Sequence, residues 1–194
     1  MVRVYKKTLK HSIIILSLDF TMKTIRTTYI LGKYVTLEIK DDGNQNIDLV
    51  LSQNIHINNI LTKTDYTLTL QRWQHFMYYV DEIQQAVQEL NEGKEVYLNY
   101  HMGGNNFVQV NSGFNVVDFR QFWLPYGQSE VHPTRKGIAL KFDEFETLIQ
   151  LKANIEQVIP ELNETQPCWM ADYHKNPLGY LMCPECNPDD YMNW

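Results

Sequence analysis

Two stretches of the chain carry apolar residues at steps of three and four, the spacing of one face of an α-helix. The first runs from Trp73 to Leu90 and is followed by Asn91-Glu92-Gly93, and the second runs from Phe145 to Leu162. A glycine just after the last periodic residue is typical of a helix end. The starts and the ends of the two stretches differ by the same offset in numbering, 72. The pattern therefore predicts two long amphipathic helices, one in each half of the chain.

Alternating apolar and polar positions, which indicate half-buried strands, precede each helix. The predicted strands cover residues 34–39, 47–51, 55–60 and 66–68 in the first half and 95–100, 107–110, 115–123 and 135–140 in the second. The same offset of 72 superposes the two halves without a gap. We interpret this as a duplicated β-β-β-β-α unit and predict an α+β fold. Because one helix leaves part of a four-stranded sheet uncovered, we expect the two units to pack as an intrachain pseudo-dimer.

Four segments are expected: a basic N-terminal arm (1–22), a first unit (23–90), a second unit (91–162) and a Cys/His tail (163–194). The arm has four basic residues and one acidic residue, and the tail has one basic and five acidic residues. The net charge of −6 over 194 residues excludes a globally basic nucleic-acid coat protein. The longest apolar run, Ile13–Leu18, is shorter than the ~20 residues of a membrane span, so no membrane partner is expected.

Two motifs in the second unit keep a fixed order and spacing. Arg120-Gln121-Phe122-Trp123 comes first, and Pro133-Thr134-Arg135-Lys136-Gly137-Ile138-Ala139-Leu140 follows, with a helix from Asp143. This arrangement resembles the C-terminal domain of the eukaryotic transcriptional coactivator p15 family, also called positive cofactor 4 (PC4). The first unit resembles the family chiefly in its helix. Under the offset of 72, Arg120 is expected to match Asp48, Trp123 to match Leu51, and Arg135 to match Lys63.

The resemblance implies two tandem PC4-like units with a groove for single-stranded nucleic acid across the paired sheets. The candidate nucleic-acid-binding residues are Phe114, Arg120, Trp123, His132, Arg135 and Lys136. Arg and Lys side chains would bind phosphate oxygens, and Trp123 would stack on bases. Phe114 and His132 stand where family members have lysines, so we expect binding weaker than is usual in the family.

Each of these residues also has a purely structural interpretation. Trp123 could fill the core or the pseudo-dimer interface, as a Trp at a strand end often does. Arg135 and Lys136 could be an ordinary solvated pair. Arg120 could form an ion pair with Asp118 or Glu144.

The tail contains the pattern C-x5-H-x8-C-x2-C, formed by Cys168, His174, Cys183 and Cys186. Three thiolates and one imidazole are a closed tetrahedral ligand set of the kind found in structural zinc sites. The predicted cofactor is therefore a structural zinc ion, which would supply folding energy to a zinc-knuckle-like tail. A redox C-x-x-C with a spare thiol and unconnected buried cysteines are the alternatives. The acidic and aromatic tail could also dock another protein.

No motif typical of an enzyme is present in the sequence, so we expect a protein without catalytic activity. Our leading hypothesis is a single-stranded-DNA-binding protein that acts in transcription or replication, with RNA as an alternative ligand. The second hypothesis is an adaptor of the transcription machinery that has lost most nucleic-acid binding. The expected location is intracellular, in the nucleus or at a site of viral DNA replication and transcription. Association of two chains stays open.

Overall fold

The structure is a computed structural model that describes residues 23–44, 46–57 and 60–189. The predicted basic arm, residues 1–22, lies outside the described residues. Within them, none of the helices combines the length and the apolar character needed to span a membrane.

Two units share one order of elements, four antiparallel strands followed by a helical segment, which confirms the predicted α+β fold. The first unit contains β1 (Thr24–Ile30), β2 (Val35–Asp41), β3 (Ile47–Ile57), β4 (Ile60–Thr69), α1 (Leu70–Tyr78) and α2 (Val80–Asn91). The second contains β5 (Tyr97–Gly103), β6 (Asn106–Asn111), β7 (Val116–Trp123), β8 (His132–Lys141), α3 (Phe142–Gln150) and α4 (Lys152–Val158). A tail of short helices follows, with 3-10 turns at Pro160–Asn163, Cys168–Met170 and Asp172–Lys175 and α5 at Pro177–Leu181.

Each predicted long helix is divided into two. Tyr79 separates α1 from α2, and Leu151, at the repeat offset of 72 from Tyr79, separates α3 from α4. Helix α1 begins where the Thr69 side chain accepts a hydrogen bond from the Arg72 N–H at 3.2 Å, a typical N-cap. The second helical segment ends at Val158, earlier than predicted, because Pro160 cannot donate the next backbone hydrogen bond of a helix.

The offset of 72 holds for β4 and β8 and for α1 and α3, whose bounds differ by that number. It fails for the third strands. Leu51 pairs with Tyr66, and Phe119 pairs with Ile138, the residue that the offset matches to Tyr66. Phe119 is therefore the counterpart of Leu51, although their numbers differ by 68 and not by 72. The predicted match of Trp123 with Leu51 is wrong.

The same correction applies to Arg120, whose counterpart is Ser52 and not Asp48. Arg120 pairs with Gly137 and Ser52 pairs with Asp65, and these two partners differ in number by 72. The cause is the connection from β7 to β8, residues 124–131, which is longer than the connection from β3 to β4. A loop insertion of this kind moves a strand relative to the repeat offset without changing the sheet.

One hydrophobic core serves both units, as expected for a pseudo-dimer. Phe76 of α1 lies at its centre. Its ring is 5.1 Å from that of Phe119 in β7 and 6.3 Å from that of Phe145 in α3. Tyr66 of β4 donates a hydrogen bond to Asn106 Oδ1 of β6 at 3.1 Å, and both residues are buried. The core therefore fixes the position of β8, the motif-bearing strand, relative to the first unit.

Candidate nucleic-acid interface and metal centre

An open groove of about 450 Å³ lies on the face of the second sheet that points away from the core. Strand alternation creates it: Val117 and Phe119 of β7 are buried, while Asp118 and Arg120 face the groove. Phe122 also lines the groove and packs edge-to-face on Phe107 with ring centroids 4.9 Å apart. The complete lining is Gln109, Asn111, Phe114, Val116, Asp118, Arg120, Phe122, Pro133 and Ala139.

Arg120 is fully engaged inside this groove. Its Nε and Nη2 donate to the two carboxylate oxygens of Asp118 at 2.8 and 2.9 Å, and its Nη1 donates to the Thr134 carbonyl at 2.9 Å. The hydrogen bond with Asp118 raises the pKa of the Arg120 guanidinium. Because Asp118 balances its charge, the groove is apolar and close to neutral, and a phosphate would have to compete with a bidentate ion pair.

In the part of the chain that the structure describes, the cations without a carboxylate partner are concentrated on β8. Most Lys and Arg side chains of the described residues have a carboxylate within 4.0 Å. Among those described residues, the Lys and Arg side chains without such a partner are Lys33, Arg135, Lys136 and Lys141. Lys33 lies over the ring of Tyr34, so β8 carries the cations that are most available to a ligand among residues 23–44, 46–57 and 60–189.

The candidate residues do not share one surface. Lys136 lines a second cleft of about 240 Å³ between the two units, together with Asp65, Tyr66, Thr67, Arg72, Asn106 and Gln121. Phe114 and Arg120 line the groove. Arg135, Trp123 and His132 are exposed and line neither cavity. Trp123 is opposite His132 in the β7–β8 ladder, at the end of the groove that Pro133 closes.

The sequence analysis missed Lys141. It is paired with Val116, which lines the groove, and directly opposed residues of an antiparallel pair lie on the same face of a sheet. Lys141 therefore flanks the groove at the end near Phe114, a side chain that is 67% exposed. Strand alternation from Ala139 would have indicated this, but the family motif ends at Leu140.

Comparison with known proteins bears on the same part of the chain. The model of the family described as Transcriptional Coactivator p15 (PC4) matches residues 103–151, from the end of β5 through α3. The second unit is PC4-like. The chain is also 29% identical over 70 residues to the RNA polymerase II transcriptional coactivator SUB1 of Saccharomyces cerevisiae; this covers 35% of the chain and 24% of that protein. The chain thus aligns with about a quarter of that relative, and no solved structure matches it.

Beyond the PC4-like unit, the tail brings its Cys and His side chains together. The ligand atoms of Cys168, His174, Cys183 and Cys186 all lie within 4.8 Å of one another. Cys168 Sγ is 3.1 Å from Cys186 Sγ, which in turn is 3.9 Å from His174 Nε2. A tetrahedral zinc ion, with bonds of about 2.3 Å to sulfur and about 2.0 Å to nitrogen, needs four donors at such spacing. The four residues therefore fit a single metal ion.

Burial affects the protonation of the thiols and of the neighbouring imidazole at this centre. Burial raises the pKa of the Cys168 and Cys186 thiols, so without a metal they stay protonated, and a bound cation would displace the protons. His75 of α1 lies behind the centre and accepts a hydrogen bond from the Cys168 N–H at 3.2 Å through Nε2. Burial lowers the pKa of His75 to about 4, which keeps its ring neutral and able to accept. The Trp169 ring packs on it at 4.2 Å.

Proposed function

We propose that this protein binds single-stranded DNA as a non-catalytic coactivator of transcription. Arg135 and Lys141 would contact backbone phosphates on the groove side of the second unit, and Lys136 would contact one from the second cleft. Bases would pack against Phe114 in the groove and stack on Trp123 at its end. The observation that carries the proposal is the coincidence of unpaired cations and exposed rings on one PC4-like unit. A basic edge beside aromatic faces suits an unpaired strand, whose bases are free to stack on a protein surface.

Base packing would contribute more than charge in this groove. With Arg120 paired to Asp118, the cations of the second unit that have no carboxylate partner among the described residues are Arg135, Lys136 and Lys141. Three single-strand contacts correspond to a slope of log affinity against log salt of about −2. Trp123, 52% exposed beside His132, supplies a further stacking face where the strand would leave the groove.

The first unit would serve as a scaffold. The face of its sheet that corresponds to the groove carries ion-paired and hydrogen-bonded polar side chains. Lys40 pairs with Glu38 at 2.9 Å, Ser52 donates to Asp65 at 2.6 Å, and Asp65 pairs with Lys63 at 3.3 Å. Such a face offers a nucleic acid neither a net positive charge nor rings for stacking, so one half of the pseudo-dimer would bind the strand.

A salt titration of binding tests the proposal. A fluorescein-labelled oligo(dT) strand is titrated with the protein at several salt concentrations, and a duplex of the same length is measured alongside. The proposal predicts a slope of about −2 and a clear preference for the single strand. No binding at low salt, or equal binding of the duplex, would contradict it.

The remaining parts of the function follow from the same proposal. The tail would bind one structural zinc ion, with no open coordination position for a catalytic water. The partners would be single-stranded DNA, or RNA, and the transcription machinery, and the location would be the nucleus. The comparisons give no support to a viral site.

A second candidate function, an adaptor of the transcription machinery, is favoured by the surface of the tail. Five of its apolar or aromatic side chains, Met170, Tyr173, Leu178, Tyr180 and Met182, are between 48 and 58% exposed. Where such side chains form one contiguous patch, the patch often marks a site of protein association. An oligo(dT) titration without binding would favour this alternative.

A further inference from the structure

The second cleft, between the two units, brings together cations from different parts of the fold. Lys136 comes from β8 of the second unit, and Arg72 comes from the first turn of α1 in the first unit. The amide side chains of Asn106 and Gln121 also line it. Lys136 belongs to the PC4-like motif, whereas residues 23–90, which include Arg72, lie outside the family match. The cleft is therefore formed by residues of both units.

The tail neutralises one of these two cations. Glu185 accepts hydrogen bonds from Arg72 Nε through Oε2 and from Arg72 Nη2 through Oε1, both at 3.1 Å. Glu185 stands between Cys183 and Cys186, so the residues that would hold the metal also hold this carboxylate. The pair is partly buried: the Arg72 and Glu185 side chains are 21 and 24% exposed. Water and salt therefore screen it less than they would screen a surface pair.

The turn between β5 and β6 is shaped to admit Glu185. The Gly104 N–H donates to the Glu185 carbonyl at 2.8 Å, and Asn105 Nδ2 donates to Asp189 Oδ2 at 2.6 Å. Gly103 has a φ of +105°, a conformation that favours glycine, and a Cβ atom at this position would meet the Glu185 carboxylate. The tail thus contacts α1 of the first unit and the β5–β6 turn of the second.

We propose that the cleft between the two units is a second phosphate-binding site, formed by Lys136 and Arg72, and that the folded tail limits its affinity by neutralising Arg72 through Glu185. Asp65 also lines the cleft, but its charge is balanced by Lys63. Glu185 is therefore the carboxylate that determines the net charge beside Arg72. Loss of the metal would release the knuckle, free Arg72 and raise affinity for a polyanion. The identity of the natural ligand, a nucleic-acid strand, rests on the proposed function. The binding of phosphate by Lys136 and Arg72 does not depend on it.

The experiment compares two Glu→Gln variants that lower the negative charge of the tail equally. Glu185→Gln removes the charge that faces Arg72. Glu164→Gln removes an exposed charge that has no ion pair among the residues that the structure describes. Each protein is titrated with labelled oligo(dT) and, separately, with inorganic polyphosphate, which has phosphates but no bases. Metal content and unfolding temperature are measured on every variant.

The proposal predicts tighter binding of both polyanions by Glu185→Gln, with a salt slope for oligo(dT) steeper by about 0.7, the value of one added phosphate contact. Glu164→Gln should match the wild type. In an Arg72→Gln background, Glu185→Gln should have no further effect, and a metal chelator should tighten binding only where Arg72 is present. Equal polyphosphate binding by Glu185→Gln and wild type, or equal gains from both Glu→Gln changes, would overturn the inference. If the wild type does not bind oligo(dT), the proposed function fails, while the polyphosphate comparison still decides the inference.

Discussion

Removal of the two cations that begin the PC4-like strand should weaken single-strand binding by a calculable amount. Arg135 and Lys136 have no carboxylate within 4.0 Å among the described residues, so their charges are available to phosphate. Each lost contact makes the negative slope of log affinity against log salt shallower by about 0.7. The double change to Gln should therefore make it shallower by about 1.4. At 0.1 M salt this corresponds to about 25-fold weaker binding, or about 2 kcal/mol.

The assay is fluorescence anisotropy of labelled oligo(dT) over a series of salt concentrations. Lys94→Gln with Lys152→Gln removes the same charge from cations that pair with Glu92 and Glu156, and this control should leave the slope unchanged. If the Arg135 and Lys136 variant keeps the wild-type slope, or if the control loses as much, then total charge and not the β8 edge governs binding.

The ion pair inside the groove gives a complementary test. Asp118→Asn with Arg120→Gln removes both partners and leaves the net charge of the groove unchanged. Because Arg120 is engaged by Asp118 and the Thr134 carbonyl, we expect the same salt slope as in the wild type. A slope that is shallower by about 0.7 in this variant would mean that Arg120 of the wild type leaves Asp118 to bind phosphate.

Three further predictions concern the fold and the metal. Under reducing conditions the purified protein should carry about one zinc ion, and Cys183→Ser should abolish this and lower the unfolding temperature; metal-free protein with unchanged stability would contradict the tail centre. Phe76→Ala should cost about 3–5 kcal/mol in urea unfolding, because Phe76 contacts Phe119 and Phe145 of the other unit; a cost under about 1 kcal/mol would contradict the shared core. Burial raises the pKa of the Tyr66 phenol, so its contribution is fully present below about pH 10 and falls as pH rises further; Tyr66→Phe should flatten this alkaline loss, and parallel stability curves would refute the effect.

Local patterns predicted the strands of the second unit and the positions of the helical segments, because local physical chemistry determines them. In the first unit they missed β1 and divided β3 into two strands. The bounds of α1 and α3 differ by 72, the offset found from apolar spacing alone, and the first helix starts at a Thr N-cap. The Cys and His spacing in the tail predicted a cluster that the fold does assemble. In each of these cases the residues that determine the structure lie close together in sequence.

Other features depend on contacts between distant parts of the chain. The longer β7–β8 connection moves the third strand of the second unit by four positions relative to the repeat offset, which apolar periodicity cannot detect. The cleft that holds Lys136 exists only because β4 and β8 pack against each other. The pair of Arg120 with Asp118, in contrast, was among the alternatives from sequence, since residues two apart on a strand lie on one face.

In the proposed complex, an unpaired strand lies over the β7–β8 face of the second unit. Hydrogen exchange read by mass spectrometry, with and without saturating oligo(dT), tests it directly. We expect slower exchange in peptides that cover residues 114–141 and unchanged exchange in peptides that cover β2 and β3 of the first unit. Protection confined to the first unit or to the tail, or no protection at saturation, would contradict it.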